Sequence, residues 1–119
     1  MTTDKELLEL AAKAAGIEIE PCTCSNKKWP FKIKNDFGIG HWNPLEDGGD
    51  ALRLMVQLDF GIYRGYDSYR GEFTEVFYRP RTYARQKSCI EYHKDHPNPV
   101  AATRRAIVRA AAEIGKATP

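Results

Sequence analysis

Five side chains in this 119-residue chain have the chemistry of zinc ligands: Cys22, Cys24, Cys89, His93 and His96. Thiolate and imidazole are the usual donors of a tetrahedral zinc site. The spacing argues against one. Cys22-Thr-Cys24 leaves a single residue between the thiols where structural zinc motifs leave about two to four, and His93 and His96 lead into a turn at Pro97. The expectation is free thiols, surface histidines, no metal and no other cofactor. Ser68, in Gly65-Tyr-Asp-Ser-Tyr-Arg-Gly71, lacks the flanking glycines that let a serine project from a nucleophile elbow. Gly38-Ile-Gly40 lacks the third glycine and the following helix that hold a pyrophosphate. Glu46, Asp47 and Asp50 do not alternate as a calcium loop does, and capping of a following helix explains them. No motif for an enzyme is present, and a small enzyme or metal protein stands as the third reading, after the two binding ones.

The remaining chemistry is that of recognition. Between Tyr78 and Lys94 the chain places Arg79, Arg81, Arg85, Lys87 and Lys94 among Tyr78, Tyr83 and Tyr92, with Glu91 as the opposing charge. Just upstream, Tyr63, Tyr66, Tyr69 and Arg70 add more of the two residue types that most often anchor interfaces. The expected macromolecule-binding residues are Tyr66, Tyr69, Arg70, Arg79, Arg81, Tyr83 and Arg85. A protein partner is the leading reading, and a nucleic-acid-binding module built on residues 78–94 is the alternative, because cations interleaved with stacking rings also suit single strands. Eighteen Lys and Arg against sixteen Asp and Glu leave a formal charge of +2. That is too near balance for strong non-specific attraction to phosphate. The same cations also suit a solvated strand whose edge is protected from pairing.

The elements that must position these residues follow from periodicity. Thr3 stands three residues before Glu6 at the spacing of a capping box, and Leu7, Leu8, Ala11, Ala12 and Ala15 recur at helical spacing before Gly16, which predicts a helix over 4–15. Alternation in Ile17-Glu-Ile-Glu20 and the run Phe31–Lys34 predict short strands, followed by a turn at Asn35-Asp36 and an extended piece from Ile39 to Trp42. Trp42 is expected to pack in the core. A largely buried helix is predicted from the Asp47–Asp50 turn to about residue 58, and strands over 60–63, 73–79 and 83–92, with 61–71 loose. Asn98 and Pro99 start a last helix with Val100, Ile107, Ala111 and Ile114 facing inward, Arg105, Arg109 and Glu113 solvated, and Gly115 ending it. Leu7, Leu8, Ala11, Leu52, Met55, Ile107 and Ile114 are the expected core.

Length and composition fit one domain over residues 1–119, of α+β class, in the order α-β-β-β-α-β-β-β-α with an antiparallel sheet of about four to six strands packed by three helices. The acidic start and the lack of a long apolar run predict a cytoplasmic protein with no membrane partner. Three stretches, Asp4–Gly16, Trp42–Leu54 with its Asn-Pro-Leu-Glu-Asp-Gly-Gly-Asp turn, and Ala101–Gly115, resemble a group of small phage and prophage proteins related to the phage ABA sandwich domain. The resemblance covers the three helices and the turn before the second. It implies a layered α+β fold and a phage-encoded accessory role in the host cytoplasm, and it brings no catalytic or ligand residue with it.

Overall fold

The computed structural model describes residues 3–22, 28–34, 40–80 and 84–118. Helix α1 (Asp4–Ala15) begins where the Thr3 hydroxyl accepts the Glu6 amide, 3.1 Å, and stops at Gly16, whose φ of 69° is the left-handed cap. Strands β1 (Ile19–Pro21), β2 (Phe31–Ile33) and β3 (His41–Trp42) form one antiparallel sheet in that order. Helix α2 (Gly48–Gln57) then carries the chain to a second antiparallel sheet, β4 (Gly61–Asp67), β5 (Gly71–Tyr78) and β6 (Lys87–Tyr92). A 3-10 turn (His93–Asp95) leads into α3 (Pro99–Ala117), capped by Asn98 with Pro99 in its first turn. The class and element order match the sequence reading, with the six strands divided between two sheets. Cys24, the Asn35-Asp36 turn, Arg81 and Tyr83 lie outside the described residues.

One core joins these elements. Helix α3 packs against α1 and also against β5 and β6, so it needs a wide apolar face of small residues. Ala102, Ala106, Ala110, Ala111 and Ala112 supply it, together with Ile107 and Val108. Gly115 does not end this helix, which continues to Ala117. It sits where α1 crosses, and a methyl group there would overlap the Leu10 carbonyl. Phe31 and Trp42 of the first sheet complete the same cluster with Leu7 and Leu8.

Several expected positions differ. Leu52 is 54% exposed and Val100 57% exposed, while Met55 and Ile114 are half-buried. Helix α2 is covered along one stripe, Asp50, Ala51 and Leu54, because it packs mainly on α3 and meets α1 at its last turn, where the Gln57 amide donates to the Ala15 carbonyl. An apolar run cannot bury every member when successive side chains point about 100° apart. Asp50 itself is buried: its carboxylate accepts the Asn43 amide at 2.9 Å and pairs with Arg53 at 2.7 Å, fixing the turn that precedes the helix.

The stretch 61–71 is not loose. Seven residues of β4 pair one-to-one with β5, from Gly61↔Phe77 to Asp67↔Gly71. The turn is tied by the Asp67 carboxylate, which accepts the amides of Tyr69 (2.7 Å) and Arg70 (3.1 Å). Those backbone donors hold its carboxyl below the ordinary carboxylate range. Gly71, at φ 84°, closes the loop.

His93 and His96 are not surface residues. His93 Nε2 shares a hydrogen bond with the Thr74 hydroxyl (2.8 Å), which also meets Thr103 of α3 (3.0 Å). His96 Nε2 meets the Glu91 carboxylate at 2.7 Å, and Glu91 also pairs with Arg109. Arg105 pairs with Asp4 at 2.9 Å, so the basic face of α3 ties it to α1 and β6 rather than standing free in water.

Tyr78 and Cys89 are buried together under α3. Burial is the main cause that pushes the Tyr78 phenol from its ordinary 10.0 up to about 12. Burial likewise raises the Cys89 thiol from its ordinary 9.0. Both groups hold their protons more tightly folded than unfolded, so their contribution is complete below the unfolded values and is lost as pH rises through the folded ones. The denaturant midpoint is therefore expected to be flat through neutral pH and to fall above pH 9. The double variant Tyr78→Phe/Cys89→Ala is expected to flatten that alkaline slope in a urea titration at each pH; an unchanged slope would place its origin elsewhere.

Candidate functional site

The second sheet has one covered and one open face, set by the period of two along each strand. Thr74, Val76 and Tyr78 of β5 and Cys89 of β6 point toward α3 and are buried. The opposite face carries Tyr63, Phe73, Phe77, Ile90 and Tyr92, all at least partly open to solvent. Across it runs a row of rings: Tyr63 and Phe73 have centroids 6.2 Å apart, and Phe73 and Tyr92 are 5.9 Å apart. The Arg70 guanidinium closes the row, 5.2 Å from the Tyr92 centroid, at a distance where a cation is attracted to a ring face. Gly65 makes the row fit, because the Phe73 ring lies where a Cβ at that position would be.

Strand β4 is open along nearly its whole length, and on both faces. Tyr63 is 54%, Tyr66 73% and Tyr69 95% exposed. Charges within the hairpin lean acidic: Arg64 and Arg70 stand against Asp67, Glu72 and Glu75, with Arg64 3.4 Å from Glu72 and Glu75 accepting from Ser88 at 2.7 Å. The surface offers contact area and directed polar groups.

The expected binding residues fall into two groups. Tyr66, Tyr69 and Arg70 gather at the hairpin tip, with Tyr69 and Arg70 in the turn and Tyr66 beside it on the α3-facing side. Arg79 and Arg85 lie at the other end of the sheet, roughly 24 Å away along the eight residues of β5. There the Arg79 guanidinium donates to the Ala84 carbonyl at 2.9 Å and lines a cavity of about 470 Å³ with Asp59, Phe77 and Gln86. Arg85 is exposed. Of the exposed row, Tyr63 and Tyr92 carry stacking rings that the sequence already marks, while Phe73 does not stand out there; the alternation of 73–78 marks its face, but only the pairing register shows which face is open.

A separate apolar groove of about 300 Å³ runs between α2, α3 and β4, lined by Leu52, Met55, Ile62, Val100 and Ile107. Among the described residues no helix is long and apolar enough to cross a membrane, and no group of three or more His, Cys, Asp or Glu is placed to hold a metal ion. Compared with known proteins, the chain matches no family model, no curated protein and no solved structure.

Proposed function

We propose that this protein acts by stoichiometric binding to a protein partner through the open aromatic face and tip of the β4–β5 hairpin, in the phage-encoded, host-cytoplasmic setting that the resemblance implies. The observation that carries the reading is the row Tyr63–Phe73–Tyr92 ending on Arg70, on the sheet face opposite α3, where all three rings are at least partly open to solvent. Tyr and Arg dominate the energetics of protein interfaces because each joins broad apolar contact with a directed polar group. A protein is favoured over nucleic acid by charge. With two arginines against three carboxylates, the hairpin attracts phosphate poorly, and Arg79 and Arg85 lie beyond the far end of β5 from its tip.

The test is capture from a bacterial host lysate on the immobilised protein, paired with a salt titration against labelled single- and double-stranded DNA and RNA. The expected result is one protein retained in stoichiometric amount, lost in Tyr69→Ala/Arg70→Glu with the melting temperature unchanged. Nucleic-acid binding that weakens steeply with salt and disappears in Arg79→Glu/Arg85→Glu would replace this reading with the nucleic-acid one.

A further inference from the structure

We infer that a second copy of this chain pairs antiparallel along the free edge of β4, joining the two second sheets into one of six strands. Among the described residues, strand β4 is bonded to β5 on one side only, and its seven residues are in uninterrupted register. Its sequence, Gly-Ile-Tyr-Arg-Gly-Tyr-Asp, contains no proline, lysine or bulge, and its one inward-facing charge, Arg64, which could guard the edge, is paired with Glu72 at 3.4 Å. The other edge of the sheet is guarded: β6 opens on Lys87, and its Ile90 carbonyl already accepts from Arg109 at 3.1 Å.

The inner side of β4 also lacks its cover. Helix α3 packs on β5 and β6 and leaves Ile62, Arg64 and Tyr66 open, with the apolar groove beside them. Leu52, Ile62 and Val100, which line the groove, are 46% to 57% exposed, and with Tyr66 and with Val56, one helical turn after Leu52 on α2, they present on the order of 500 Å² before any backbone is counted, against the ~800 Å² per partner of a standard interface. A two-fold axis perpendicular to the sheet keeps equivalent faces on the same side, so the two grooves meet beneath the joined strands.

Side-chain chemistry selects the register. An axis through Arg64 would set guanidinium against guanidinium. An axis through Gly65 sets Arg64 opposite Tyr66 of the second copy on the inner face, and Tyr63 opposite Asp67 on the outer face. Both are favourable cross-strand pairs, a cation against a ring and a phenol against a carboxylate. The residue on the axis is then a glycine, which leaves room where two backbones approach. The inference stands apart from the proposed function, since pairing uses the edge and the inner face and, of the aromatic row, engages Tyr63 alone, leaving Phe73, Tyr92 and Arg70 open.

Sedimentation equilibrium over a wide concentration range is the test. The expected mass is twice the 13.5 kDa of the chain, with slowed amide hydrogen exchange in 61–67 that grows with concentration. Ile62→Asp, at a position already 46% exposed, is expected to weaken the dimer at least tenfold while the monomer keeps its melting temperature. Arg64→Cys/Tyr66→Cys is expected to form a covalent dimer on oxidation, because the Gly65 axis places each new thiol opposite the other. A monomer at every concentration overturns the inference. So does a dimer indifferent to Ile62→Asp with no change in β4 exchange, which would use another face.

Discussion

Gly115→Ala is expected to lower stability by about 3 kcal/mol, a fall of roughly 10 °C in melting temperature for a domain of this size. In an exposed helix the same change is favourable by about 1 kcal/mol, since alanine loses less backbone entropy than glycine. Here the added methyl meets the Leu10 carbonyl of α1, a rigid backbone atom that no rotamer change can move aside. Either α1 shifts away from α3, exposing part of Leu7, Leu8 and Ala11, or the contact is strained in place. Gly48→Ala in the first turn of α2 is the control, because nothing lies within 4 Å of a Cβ there. A Gly115→Ala midpoint equal to that of the unchanged protein would mean that α1 and α3 do not approach as closely as described.

The second large effect separates two leucines of one helix. Leu54 is 1% exposed and packs in the core, so Leu54→Ala is expected to cost about 2–5 kcal/mol. Leu52, two residues earlier, is 54% exposed, and Leu52→Ala is expected to stay within about 0.5 kcal/mol in the monomer. Equal losses in urea denaturation at low protein concentration would place both side chains in the core and remove the exposed stripe of α2. At high concentration, with the β4 edges paired, Leu52→Ala is expected to cost more, since the groove it lines is then covered.

Local signals in the chain were sufficient for the starts of the three helices, the end of α1 and the order of elements. Thr3, Asp47 and Asn98 cap because a short polar side chain reaches the free amides of the first turn, and Gly16 stops α1 because it accepts a positive φ at little cost. These depend on neighbours within a few residues. Trp42, Leu7, Leu8, Ala11 and Ile107 were legible as core for a similar reason: large rings and regular apolar spacing have few stable places outside it.

Tertiary structure decided everything that depends on what an element packs against. Leu52 and Val100 have the spacing of core residues and are exposed because, among the described residues, they line an open groove between α2, α3 and β4 rather than packing against a further element. His93 and His96 read as polar loop residues and are held by Thr74 and Glu91, partners nineteen and five positions earlier. Gly115 looks like a stop signal and is instead the point of closest approach between two helices. The tyrosines of 61–71 were visible as an excess over what a small core needs, yet alternation alone cannot say which side of a strand meets water. That choice belongs to the register of β4 on β5 and to the face α3 covers, which are set by contacts between residues far apart in the chain.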